Sequence, residues 1–184
     1  VDVTAADLDR PFDLEDDLQH FRWVLATLRS YRDIGLDLWK SERPDLMLAY
    51  FEGTDSTSHL FGHLFRAQGL EGELAEQQQR YGRAVEAVYG YADRILGDFL
   101  AALDSRTTLV VVSDHGFEAS KRLPKANLTE EDFRDRDARQ KRGEASEGEV
   151  AVGQSGNHNL RGVLIAAGGP IRPWRGLVAV RRRR

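Results

Sequence analysis

Thr108-Leu109-Val110-Val111-Val112-Ser113-Asp114-His115-Gly116-Phe117 decides how this chain is read. The unbroken apolar run from Leu109 to Val112 suits a strand covered on both faces, and open α/β sheets place their ligands just beyond the carboxyl ends of such strands. Asp114 and His115 stand at that end. Neighbouring side chains on a regular strand point to opposite faces. An adjacent Asp and His can therefore converge on one ion only where the strand stops and the backbone turns. Gly116 permits such a turn.

Upstream, Leu74, Tyr81, Val85, Val88, Ala92, Ile95, Phe99 and Leu103 mark a long helix that ends near Asp104 and leads into this strand. Further back, Pro44 is followed by Asp45-Leu46-Met47-Leu48-Ala49-Tyr50-Phe51, a short apolar run expected to be a second core strand. Strand, helix, strand predicts a right-handed crossover unit. Leu14, Leu18, Phe21, Leu25 and Leu28 alternate at spacings of four and three, with Asp13, Glu15 and Asp16 in the first turn, which predicts an amphipathic helix over about 14–32. Residues 118–150 are rich in Lys, Arg, Glu and Asp and are punctuated by Pro124 and Gly143, the composition of a surface excursion. A third apolar strand, Gly162-Val163-Leu164-Ile165-Ala166-Ala167, follows the Gly-flanked His158. There is no internal repeat. The expected fold is α/β, with a mostly parallel central sheet flanked by helices.

A chain of 184 residues has room for one domain with a sizeable core. No apolar run approaches the length that spans a bilayer. The formal net charge of −4 argues against a nucleic-acid-binding surface, and the run Arg181 to Arg184 reads as a solvated basic tail. Cysteine is absent, which excludes disulfides and thiolate metal sites, so any metal must be held by Asp, Glu and His. The start at Val1 carries neither the basic n-region nor the apolar h-region of a secretory signal, and localisation stays open.

Four of the five histidines lie beside the expected core strands or the turns that adjoin them. Asp55 and His59 stand four apart after the run ending at Phe51. A helix starting at Thr54 or Asp55 would stack both on one face, where they could share an ion. With Asp114, His115 and His158 they make two carboxylates and three imidazoles, a set suited to zinc, manganese or iron. Taken singly, each signal has a plainer reading: Asp55 as a helix N-cap, Asp114-His115-Gly116 as a strand-ending turn, His158 as a turn residue. Their joint arrangement favours the metal.

Asp55-x-x-x-His59, Ser113-Asp114-His115-Gly116-Phe117 and Gly156-x-His158 followed by Gly162-Val163-Leu164-Ile165, in this order, resemble the alkaline phosphatase superfamily. Within it the chain looks most like the type I phosphodiesterase and nucleotide pyrophosphatase branch, across roughly residues 44–170. The resemblance implies a two-metal hydrolase of phosphate esters, diesters or nucleotide-type pyrophosphates ahead of monoesters, with a small-molecule substrate. It implies Asp55, His59 and His158 on a first divalent ion and Asp114 and His115 on a second, with zinc the usual metal and manganese found in some branches. Glu52 and His63 are candidates for support around these ligands. His63 could pair with His59 but has no acidic residue between them to act as a base, and His20 reads as a boundary residue of the first helix.

The family's further upstream Asp and its Thr or Ser nucleophile have no match here, and neither role is carried onto Thr4, Thr54, Ser56 or Ser113. The chain is therefore expected to comprise an N-terminal amphipathic helical segment at 1–43, the C-terminal, two-metal half of a larger catalytic domain at 44–170, and a basic tail at 171–184. The competing expectations are a non-catalytic metal-binding remnant and another superfamily branch: a phosphomonoesterase, a sulfatase or a phosphoglycerate mutase.

Overall fold

The computed structural model describes residues 16–119, 155–169 and 171. The first helix, α1, runs Asp17–Glu42. Asp16 caps it, its carboxylate accepting from the backbone amides of Leu18 and Gln19 at 3.0 Å each. It closes on Arg43, whose φ of 48° is left-handed, immediately before Pro44. Proline disfavours helical backbone in the residue before it, so the stop is local in origin. The helix continues past the expected limit near residue 32 because its buried stripe is extended by Gly35 and the half-buried Leu36. Leu14, at the expected start, lies outside the described residues.

Helix α2 covers Gly53–Phe61 and passes into a 3-10 turn at Gly62–Leu64. It packs against both α1 and the later helix α4, Ala84–Ala102. Gly53 is needed for the first contact, since a Cβ there would collide with the Leu28 side chain. The long helix expected through Leu74 and Leu103 is two helices, α3 (Gly72–Tyr81) and α4 (Ala84–Ala102). Its apolar periodicity is continuous across the break, so the pattern could not reveal it. The interruption falls at Gly82, whose amide closes α3 by donating to the Gln78 carbonyl at 2.8 Å. Phe21, Val24 and Leu28 of α1, Phe61 at the end of α2, Leu64 in the turn that follows, and Val85, Val88, Ile95 and Phe99 of α4 form the buried core. Phe21 meets Phe61 edge-on, and Phe61 stacks on Tyr81, each pair with centroids 5.2 Å apart.

Two strand pairs complete the described fold, and both are antiparallel. Strand β1 (Thr108–Val112) pairs with β4 (Leu164–Gly168), with Val110 opposite Ala166. Strand β2 (Gly116–Ala119) pairs with β3 (Gly156–Asn159), with Phe117 opposite His158. The domain is thus mixed helix and strand, but among the described residues the sheets are small and antiparallel rather than one parallel central sheet. The expected strand at 45–51 is absent: Met47 and Phe51 pack onto the helical core, while Leu46, Leu48 and Tyr50 remain exposed. A short apolar run has no partner written into it, and here two of its side chains anchor to helices instead of a ladder. β1 also departs from expectation, since Val110 and Val112 are exposed and only the alternate residues Leu109 and Val111 are half-buried.

Candidate metal centre

The site forms where α2, the turn after β1, and β3 meet. Helix α2 supplies the first two groups. Glu52 starts the helix by accepting from the Asp55 and Ser56 amides at 3.0 and 3.1 Å, and its carboxylate accepts from the Ser56 hydroxyl at 3.0 Å. The four-residue spacing then stacks Asp55 and His59 as expected, with Asp55 Oδ1 3.6 Å from His59 Nε2.

β3 delivers His158 against this pair. Its Nε2 lies 2.9 Å from His59 Nε2 and 3.3 Å from Asp55 Oδ1. His115, in the turn between β1 and β2, stacks on His158 with ring centroids 3.6 Å apart. The His115 Nδ1–H donates to the Gly116 carbonyl at 3.1 Å, which leaves Nε2 bare and directs it to the cluster. One donor atom each from Asp55, His115 and His158 lies within 4.8 Å of the others. Asp114 sits at the edge, 3.6 Å from His115 Nε2, with its side chain open to solvent. The strand end and the glycine turn therefore place His115 with the α2 pair, and Asp114 next to His115 at the solvent edge.

This donor set suits a divalent cation. Asp55 Oδ1 is buried without a hydrogen-bond partner, a costly arrangement for a group that nothing else satisfies. Tetrahedral zinc with Zn–N near 2.0–2.1 Å places its ligand atoms about 3.3 Å apart. The separations of 2.9, 3.3 and 3.6 Å among His59, His158 and Asp55 bracket that edge. Burial holds His59 below the ordinary imidazole range, opposed by the Asp55 carboxylate and reinforced by His158 and His115. The neutral ring is the form that binds a metal.

The two supporting candidates take different places. Glu52 spends its carboxylate on Ser56 and lines a cavity of about 320 Å³ with Trp23, Tyr31 and Phe51. His63 is turned away from the cluster and buried, its Nδ1 2.6 Å from Ser155 Oγ. His20 is half-buried on α1 and lines the same cavity as Glu52.

Three groups were not anticipated. Ser155 is fully buried beneath the site. Phe117 packs edge-on against the His59 ring at 5.0 Å. The exposed Tyr50 phenol is pushed up from its ordinary value by desolvation and then by the charges of Glu52, Asp114 and Asp55. Only Phe117 had a signal in the sequence, its place at the end of the motif Ser113-Asp114-His115-Gly116-Phe117. The hydroxyls of Ser56, Ser58 and Ser113 are engaged: Ser56 and Ser58 donate to Glu52 and the Thr54 carbonyl, and Ser113 accepts from the Val163 amide. Thr4 lies outside the described residues.

A model of the family described as type I phosphodiesterase / nucleotide pyrophosphatase matches residues 2–162. No curated protein and no solved structure matches the chain.

Proposed function

Because this chain belongs to the type I phosphodiesterase / nucleotide pyrophosphatase family, we propose that it is a metal-dependent hydrolase of small phosphodiesters or nucleotide-type pyrophosphates. Asp55, His59 and His158 hold one divalent ion, and Asp114 and His115 hold a second close by. Zinc is the preferred metal and manganese the alternative, since the ligands are imidazole and carboxylate without thiolate. The observation that carries this reading is the buried, hydrogen-bond-free Asp55 Oδ1 facing the Nε2 atoms of His59 and His158.

Bound divalent cations supply Lewis-acid polarisation of phosphoryl oxygens and neutralise the charge that builds up during displacement. The protein's own part is positioning. Asp55 brings a buried carboxylate that offsets cationic charge, while the His115 Nδ1–H bond to Gly116 fixes that ring's tautomer and aim. Phe117 shields one side of His59 from water and strengthens electrostatic interactions there.

A second reading, a metal-binding module without turnover, is favoured by one observation: Ser56 and Ser58, on the helix that carries Asp55 and His59, donate their hydroxyls to Glu52 and the Thr54 carbonyl. Hydrolysis of bis(p-nitrophenyl) phosphate by the zinc-loaded chain separates the two. The proposal expects metal-dependent release of p-nitrophenol that falls at least about 100-fold in His158→Ala, in line with loss of a ligand from a metal-centred reaction. Stoichiometric zinc with no turnover establishes the second reading.

A further inference from the structure

Three residues before His158, the chain is gripped from within. Ser155 is fully buried, and its amide and hydroxyl engage the end of α2 and the turn that follows. Its amide donates to the His59 carbonyl at 2.9 Å. Its hydroxyl donates to the Leu60 carbonyl at 3.0 Å and lies 2.6 Å from His63 Nδ1. The last carbonyls of a helix lack intrahelical partners, so His59 and Leu60 offer β3 an anchorage the helix itself does not use. A hydroxyl has one proton. With that proton on the Leu60 carbonyl, the short contact to His63 requires Nδ1–H to be the donor. At the next residue, Gly156, a Cβ would collide with the Glu118 carbonyl and the Phe117 ring, so β3 has no slack where it leaves this anchorage.

We propose that Ser155 and His63 form a buried clasp that fixes β3 to the carboxyl end of α2 and thereby sets His158 against Asp55 and His59. Ser155 and His63 are positioning residues and touch no ligand. The clasp joins the helix bearing Asp55 and His59 to the strand bearing His158, groups 99 residues apart in sequence at His59 and His158. Fixing that gap beforehand removes an ordering cost that metal binding would otherwise carry. The functional consequence rests on the assignment of His158 as a ligand in the proposed function, whereas the geometric consequence does not.

The chemistry of position 63 supplies the discriminating variants. Asparagine places an amide N–H close to where His63 carries Nδ1–H, and leucine fills the space without a donor. Ser155→Ala, His63→Leu and His63→Asn are compared with the wild type as full chains, with far-UV circular dichroism to confirm folding. The first readout, on metal-free protein, is the nuclear Overhauser effect between the ring protons of His59 and His158. The second is Co²⁺ affinity from visible absorption. Ser155→Ala and His63→Leu are expected to lose the ring contact and to bind Co²⁺ about 10–100-fold more weakly, as for removal of outer-sphere support, while His63→Asn retains both.

A folded Ser155→Ala and a folded His63→Leu with the wild-type ring contact and affinity would overturn the proposal. So would a folded His63→Asn that behaves like His63→Leu, or the unfolding of both His63 variants, since the clasp asks only for the donor. Should Ser155→Ala itself unfold, the His63 pair decides. A wild type that binds no Co²⁺ refutes the metal reading alone, and the ring contact still judges the clasp.

Discussion

Two histidines near the site are kept neutral by different company. His63 is lowered by burial alone, whereas His59 is lowered mainly by burial but sits among other titratable groups. For His63 the linkage is direct. Its folded-state value lies below the ordinary 6.5, so above that pH neither state binds the proton and the full stability is present. As pH falls through 6.5, the unfolded chain takes up the proton before the folded one, and stability is lost progressively until the folded value is passed. The urea midpoint of the metal-free chain should therefore fall between pH 7.5 and 5.5, and the fall should be shallower in His63→Asn. Equal slopes in the two proteins would show that His63 is not held neutral by its surroundings.

The elements differ in what the sequence disclosed about them. The α1 stripe was legible because helical periodicity is local, whereas Asp16, expected within the first turn, proves to be the residue that caps the helix. The Asp55 to His59 stacking was legible for the same reason. The segment 45–51 was not, because its strand-like composition says nothing about which surface it meets. Leu48, 89% exposed, and Leu28, 2% exposed, are chemically identical residues with opposite fates. Leu48→Ser should change stability by no more than about 0.5 kcal/mol, and Leu28→Ala should cost about 2–5 kcal/mol, both measured by urea unfolding. A cost above about 2 kcal/mol for Leu48→Ser would restore this segment to the core. The break between α3 and α4 was hidden likewise, since the turn at Gly82 and Arg83 leaves the apolar phase undisturbed.

At the largest scale, a helical core carries, among the described residues, two small antiparallel strand pairs, and the cluster lies where the two kinds of structure meet. An isolated two-stranded pair is marginal in water. β2 and β3 are held by α2, through the Ser155 clasp and through Phe117 against His59. Long-range placement of this kind is what the sequence could not display. The motifs named Asp55, His59, Asp114, His115 and His158, but the antiparallel pairing of Phe117 with His158 and the stacking of His115 on His158 emerge only from the fold. Ser155 gave no signal because a serine's burial depends wholly on tertiary context. The central claim is that these five residues form a metal centre. Metal content after saturation with zinc and exhaustive dialysis tests it most directly: two zinc ions per chain are expected in the wild type and no more than one in an Asp55→Ala, His158→Ala double variant that remains folded. Wild-type chain without stoichiometric zinc, or a double variant that retains it in full, would contradict the account.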